Sequence, residues 1–249
     1  MASARPAPPL RIGTAGWAIP RSHAEGFPAE GVGLARYAAR LRAAEINSSF
    51  HRPHRRGTYE RWAAAVPEDF RFAAKLPKAI THERRLVDIE APLDRFLGEV
   101  AGLGPKLGPL LVQLPPSLAF EAATAERFFA TLRDRQAAHL TSETSVVCEP
   151  RHPSWFSPEA DSLLRAWRVA RVAADPAPVA EAAEPGGWPG LVYHRLHGAP
   201  RMYWSAYEPP ALMALAERLA ARRAETWCMF DNTASGAALG DALAIAAQA

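Results

Sequence analysis

Eight short apolar runs, most of them separated by stretches of helical periodicity, constrain the fold of this chain more than any other feature. The runs are Leu10–Thr14, Ala44–Ser48, Phe70–Leu76, Leu110–Leu114, Ser145–Glu149, Val169–Asp175, Leu191–His197 and Thr226–Asp231. The intervening spacing predicts helices near Leu34–Ala43, Thr58–Ala65, Leu93–Leu103, Ala122–Arg135, Pro158–Trp167 and Pro210–Arg223, with an Ala-rich helix at the end. Strands that alternate with helices form a parallel sheet with helices outside it. Eight such units in 249 residues match the size of a single (β/α)8 TIM barrel of the α/β class. The sixth unit is degenerate: Pro176–Gly190 carries four prolines and three glycines and has room for a stub of helix at most. A doubly wound open sheet is the alternative. It commonly opens on GxGxxG, and Gly13-Thr14-Ala15-Gly16 is not that pattern.

No internal repeat, linker or second domain is visible. The chain divides into a disordered lead over residues 1–9, rich in Ala and Pro, and one domain over 10–249. With 49% hydrophobic and 22% charged residues and a mean hydropathy of -0.14, the composition excludes a disordered, collagen-like or membrane protein. The lead lacks the apolar stretch of a signal peptide, so a cytoplasmic location is expected. Cys148 and Cys228 each sit in an apolar run, outside any CxxC pair. They read as small buried residues of a reducing compartment rather than a disulfide or zinc site.

In a barrel, inward side chains at the C-terminal strand ends line the mouth where catalytic groups sit. Most runs here finish in a polar group: Glu45 with Asn47 two residues on, Lys75, Gln113, Glu149, Asp175, Arg195 with His197 two residues on, and Asp231-Asn232. The loops that follow add cations: His51-Arg52-Pro53-His54-Arg55-Arg56, then Lys78, His82, Arg84 and Arg85, then Arg151 and His152, then Arg201. The net charge is only +3, yet these loops would open on one face and attract anions there. Trp17, Trp155, Phe156, Tyr203, Trp204 and Tyr207 fall in the same loops. Rings beside cations suit sugars, bases or nucleotides, although Trp155, after Pro153-Ser154, reads better as a cap on the core.

Five segments, in order, resemble the YecE-like family, a TIM-barrel family catalogued as a domain of unknown function (number 72). They are Ile12-Gly13-Thr14-x-Gly16-Trp17, Glu45-Ile46-Asn47-Ser48-Ser49-Phe50-x-Arg52-Pro53, and Phe72-x-x-Lys75-x-Pro77 with Ile80-Thr81-His82. Glu149-x-Arg151-His152-x-Ser154-Trp155 follows, then Arg195-Leu196-His197-Gly198 with Tyr203 and Tyr207. Two positions depart from the family pattern. His51 stands where a tyrosine is usual, and Asp231-Asn232-Thr233 stands where the family has Asn-Asn-His. The resemblance implies the barrel and supplies no reaction.

The residues themselves favour an enzyme with acid–base or hydrolytic chemistry on an anionic, sugar-like or nucleotide-like small molecule. Glu45 and Glu149 form the candidate acid–base pair, facing each other across the mouth. Lys75, Arg195 and His197 would bind an anionic group, and Asp175 would orient His197 or pair with Lys75. Asn47, Arg52, His82, Gln113, Arg151, Tyr203, Tyr207 and Asn232 complete the expected binding surface. A divalent-metal phosphodiester hydrolase is an alternative, with Glu45, Glu149, Asp175, His197 and Asp231 as ligands to Mg²⁺ or Mn²⁺. Too few histidines stand at strand ends for Zn²⁺. A nucleic-acid-processing protein is allowed by the basic loops but not favoured by the small net charge. A noncatalytic ligand-binding barrel, or a structural ion-pair ring at the mouth, would account for the same residues.

Overall fold

The structure is a computed structural model and describes residues 7–141 and 144–248. Its ten strands are β1 (Leu10–Ala15), β2 (Ala43–Ile46), β3 (Arg71–Lys75), β4 (Leu107–Gln113), β5 (Val146–Glu149), β6 (Val169–Arg171), β7 (Ala173–Asp175), β8 (Gly186–Gly187), β9 (Leu191–Leu196) and β10 (Glu225–Phe230). The helices are α1 (Gly33–Ala38), α2 (Ser48–His51), α3 (Arg56–Ala64), α4 (Glu90–Val100), α5 (Ala122–His139), α6 (Pro158–Ala166), α7 (Pro209–Ala220) and α8 (Ala237–Ala246).

All neighbouring strands pair in parallel except β8, and β10 returns to pair with β1. The single run expected over Val169–Asp175 is divided between two neighbours, and this division closes the ring. Its first half, β6, pairs with β5, while its second half, β7, pairs with β9. Val172 between them donates its N–H to Cys148 O. An open doubly wound sheet is thereby excluded, and the fold is TIM-barrel-like. Where β6 lacks β9 as a neighbour, β8 lies antiparallel against it. Gly187 has φ +63°, and a Cβ there would sit 2.5 Å from Val169 O, so only glycine lets this patch approach. Around it, Pro176–Gly190 holds one short 3-10 turn, Ala180–Ala183, as the degenerate sixth unit requires.

Strands buried on both faces separate two cores, and the alternation of side chains assigns residues to each. Inside the ring lie Ala43, Ala73, Leu111, Val147, Ala170, Val172, Leu191, Tyr193, Trp227 and Met229. Between ring and helices lie Ala44, Ile46, Phe72, Ala74, Leu110, Val112, Val146 and Cys148, packed on Leu34, Leu93, Phe128, Leu164 and Leu239. Cys148 and Cys228 are both free and buried, and burial pushes both thiols up, Cys228 to about 12. Among the described residues, no helix is long and apolar enough to cross a membrane.

Boundaries moved where tertiary pairing outweighed local propensity. Ala43 and Ala44 favour a helix by themselves. The register Gly13↔Ala43 and Thr14↔Ala44 draws them into β2, and α1 ends at Ala38. Ser48 leaves the expected strand and starts α2. Of the lead expected to be disordered, residues 1–6 lie outside the described residues. Pro8 O and Pro9 O accept hydrogen bonds from Arg222 Nε and Thr226 N, so these last residues of the lead are held.

Candidate functional site

The site follows from the inner core by one step of the strand period. Two residues beyond Ala43, Ala73, Leu111, Val147, Tyr193 and Met229 stand Glu45, Lys75, Gln113, Glu149, Arg195 and Asp231. Each therefore shares the inward face of its strand with an apolar residue below. These polar residues form two layers.

The deep layer is organised by Arg195, which is fully buried. Its Nε donates to Glu45 Oε2 at 3.0 Å and its Nη2 to Glu45 Oε1 at 2.7 Å. Its Nη1 donates to Glu149 Oε2 at 2.5 Å, and Nη2 reaches Asp231 Oδ2 at 2.9 Å. Tyr193 Oη also donates to Glu45 Oε2, at 2.8 Å. Burial alone would lower the guanidinium; Glu149, Glu45 and Asp231 outweigh it and hold Arg195 well above its usual value. For Glu149 burial acts upward, and Arg195 with His197 overcomes it and keeps the carboxyl well below the usual range.

His197 bridges two carboxylates in this layer. Nδ1 lies 3.1 Å from Asp231 Oδ2 and Nε2 lies 3.1 Å from Glu149 Oε1. Burial pushes the imidazole down, but Glu149 and the two hydrogen bonds hold it above 6.5. Asp231 is lowered by Arg195 and His197 against its own burial. Two opposing pH limbs follow. Depressed Glu149 and Asp231 contribute stability that is present above about pH 4 and lost as pH falls through their folded values. Raised His197 contributes stability that is complete below about pH 6.5 and lost as pH rises through its folded value. Thermal denaturation is expected to show a maximum between these limbs. His197→Gln should flatten the decline above pH 6.5 and leave the acid limb in place; an unchanged alkaline limb would rule out a charged His197.

The upper layer borders a cavity of about 750 Å³ at the C-terminal end of the strands. Lys75, Asn47, Gln113, Arg151, His82 and Tyr203 line it, as expected from the sequence. Arg151 donates to Glu149 Oε1 from Nη2 at 2.9 Å and from Nε at 3.1 Å, and its guanidinium carbon is 6.0 Å from the Tyr203 ring. Asn47 Nδ2 donates to Asp231 Oδ1 at 3.3 Å, which leaves its buried Oδ1 without a partner among the described residues. His82 packs edge-on against Phe50, and it is held below 6.5 by burial and then by Lys75, Arg151 and Lys78.

Lys75 differs from every other charge in the site. It is 8% exposed, its Nζ lies 4.2 Å from the Phe50 ring centre, and it faces the cavity. Among the described residues no carboxylate lies within ion-pair distance of it. Burial, and then Arg195, lowers its ammonium from 10.5 to about 8, only partly opposed by Glu45, Glu149 and Asp231.

Several expected roles change. Glu45 and Arg195 do not line the cavity; they spend their polar atoms on each other, so the glutamate is not poised as a free acid–base partner of Glu149. Arg195 cannot receive an external anion, because it is enclosed by three carboxylates. Asp175 neither orients the His197 ring nor pairs with Lys75: it is exposed, and its Oδ1 accepts from Tyr207 Oη at 2.9 Å. Asp231 takes the orienting role instead. Tyr207 lies away from the cavity, Arg52 borders a neighbouring groove with Lys78, and Asn232 is buried against Ser205 and Asp241. The loop cations are also less concentrated than their sequence positions imply. Lys78 pairs with Glu83, Arg85 bonds Ser117, and Arg201 stacks on Trp204. Trp155 is a core residue, its indole bonded to Leu118 O.

The sequence placed Asp231 at a strand end and assigned it a role only as a metal ligand; Phe50 and Thr233, also on the cavity wall, were given no binding role. The signal for Asp231 was available: it closes an apolar strand on the face of Met229. The metal reading does not fit this donor set. Arg195 occupies the space among Glu45, Glu149 and Asp231, and no group of three His, Cys, Asp or Glu among the described residues is placed to hold an ion.

This geometry can be set beside known proteins. Residues 11–249 match the family described as "Protein of unknown function DUF72". The chain belongs to the DUF72 family. It is 28% identical over 148 residues to the UPF0759 protein YecE of Escherichia coli K12, an alignment covering 59% of this chain and 50% of that protein. The chain thus spans about half the length of the curated relatives it matches. Among solved structures, a DUF72 family protein of Enterococcus faecalis V583 superposes with a TM-score of 0.78 at 20% identity, covering 96% of this chain and 94% of that one. A DUF72 family protein of Thermotoga maritima MSB8 gives 0.74 at 22% identity, covering 95% and 97%. At these identities the likeness is one of fold, and this DUF72 protein shares its barrel with both.

Proposed function

We propose that this DUF72 protein is an enzyme that carries out acid–base or hydrolytic chemistry on a small anionic molecule, sugar-like or nucleotide-like compounds included, at the barrel mouth. The observation that carries the reading is Lys75. Every buried charge of the deep layer is matched by an opposite one, whereas this amine is directed into the cavity without a counterion. An unpaired buried cation is costly, and an anionic ligand beside it removes that cost. Arg151 on the adjacent wall borders the same cavity and offers a second contact while it stays bonded to Glu149.

The same groups can move protons. An amine lowered to about 8 exchanges protons near neutral pH. Asp231 borders the cavity and is backed by His197 and Glu149, a carboxylate–imidazole–carboxylate chain. The test is proton exchange in D₂O, followed by NMR, over a panel of small carboxylates and phosphates. Enzyme-dependent exchange or hydrolysis of an anionic compound is expected. Binding without any turnover across the panel would leave a noncatalytic ligand-binding barrel.

Arg151→Ala tests the anion contact separately. Loss of one charge-assisted contact is expected to weaken binding of inorganic phosphate or pyruvate about tenfold to a hundredfold in titration calorimetry. Glu149 keeps Arg195 and His197 in this variant, so the fold should survive. Equal affinities for wild type and variant would remove Arg151 from the site.

A further inference from the structure

The chain contains only three lysines, Lys75, Lys78 and Lys106, all its other side-chain cations at neutral pH being arginine or histidine. Two of the three are engaged. Lys78 Nζ pairs with Glu83 at 3.1 Å. Lys106 Nζ donates to Ala63 O and Val66 O at 2.8 Å each. Lys75 Nζ alone among them makes no hydrogen bond or ion pair with the described residues, and it alone borders the mouth cavity.

Arginine would serve an anion better than lysine if charge were all that position required, since its planar fork binds carboxylate and phosphate through two bonds. What lysine adds is a nitrogen that can lose its proton and act as a nucleophile. Two conditions activate such an amine: removal from water and the nearness of another cation. Both hold here. Lys75 is buried against Phe50, and Arg195 stands in the layer beneath it.

We propose that Lys75 is the covalent nucleophile of this site and forms an imine with a small carbonyl compound that carries a carboxylate or phosphate group. The inference rests on the anion-binding reading above and adds the reacting group of the substrate. In the step, the lone pair of neutral Nζ attacks the carbonyl carbon, a C–N bond forms, and the π pair moves to oxygen. Asp231, on the same cavity wall, relays a proton through water from the nitrogen to that oxygen. The carbinolamine nitrogen then expels hydroxide, which takes a proton from solvent and leaves as water, giving a protonated imine. No oxidant or reductant is needed. Arg151 holds the anionic group, and the positive imine withdraws electrons from the adjacent carbon, so that a neighbouring C–H or C–C bond becomes the weak one.

The test is reductive trapping on the intact protein at pH 8. Pyruvate supplies a carbonyl with a carboxylate, dihydroxyacetone phosphate a carbonyl with a phosphate, and acetone a carbonyl with no charge. Sodium borohydride reduces an imine to a stable secondary amine, and peptide mapping locates it. At pH 8 an amine near 8 presents roughly a hundredfold more neutral form than a solvated lysine. Labelling of Lys75 is therefore expected to exceed that of Lys78 and Lys106 by about tenfold or more, to require borohydride, and to be weak with acetone. A pyruvate-only adduct assigns a carboxylate substrate, and one formed with dihydroxyacetone phosphate alone a phosphate. Because the adduct is located within wild-type protein, the result does not depend on the folding of a variant; Lys75→Arg, with folding checked by circular dichroism, should lose it. Binding of either probe in calorimetry without an adduct at Lys75, or with equal labelling of all three lysines, overturns the imine and leaves the anion-binding reading standing. Neither binding nor adduct overturns both.

Discussion

Arg195→Met is expected to cost about 3–5 kcal/mol at pH 7, measured by urea denaturation, and to give poorly soluble protein. Removing one partner of a buried ion pair leaves an uncompensated charge, and that penalty is of this size. Here a single guanidinium serves Glu45, Glu149 and Asp231, so three carboxylates lose it at once, and Glu45 keeps only the Tyr193 hydroxyl. Domains of this kind have about 5–15 kcal/mol in total, so the change would consume about a fifth of it or more. The pH dependence should also change sign. In the wild type, Glu149 and Asp231 are depressed, and acid removes their contribution. In the variant, burial without Arg195 raises them, so stability should recover as pH falls toward 5 and the two curves should converge. A variant within about 1 kcal/mol of wild type at pH 7 would show that the cluster is dispensable. Arg195→Lys should not rescue, because an ammonium cannot reproduce the forked contacts to two glutamates.

Lys75→Met should produce the opposite pair of effects: a more stable protein with its chemistry gone. A buried ammonium lowered from 10.5 to about 8 destabilises the folded state at neutral pH. Taking 1.36 kcal/mol per unit, the cost is on the order of 3 kcal/mol. The sign is that of a depressed cation: the cost is complete below pH 8 and is relieved as pH rises through 8 toward 10.5. The variant should therefore exceed wild type in stability at pH 7 by up to this amount, and the gap should close by about pH 10. Turnover of any substrate found in the exchange assay should fall by about 10²–10⁴, the range for a lost acid–base group. A destabilised variant would show that Lys75 is structural. A stable variant with full activity would place the chemistry elsewhere in the mouth. Stability gained with function lost is the pattern expected where a site keeps a group in an unfavourable environment for use.

The departure at Asp231 bears on how far such chemistry extends to relatives. Here its Oδ2 is shared between Arg195 and His197, and its Oδ1 accepts from Asn47. An asparagine in its place would keep one acceptor and lose the charge. Lys75, Arg151, Glu149, Arg195 and His197 all fall within motifs shared with the resemblance, whereas Asp231 does not. Lys75 rather than Asp231 is accordingly the group on which the proposed reaction is centred.

What the sequence determined by itself was the barrel and the inward set. Apolar runs at regular intervals specified strands buried on both faces, and period two placed Glu45, Lys75, Gln113, Glu149 and Arg195 at the inner ends. It also marked Pro176–Gly190 as a failed helix. It could not say which of the inward charges would neutralise one another, because each stands on a different strand and nothing local distinguishes them. Ring closure decided that. With Val169–Asp175 joining β5 to β9, Arg195 is carried to the centre, where its length and fork let it hold Glu45, Glu149 and Asp231 together. The two glutamates that looked like an acid–base pair became its counterions, and Asp175, beyond the closure, turned outward to Tyr207. Lys75, left over when the others had paired, is the charge that the tertiary structure leaves without a counterion among the described residues.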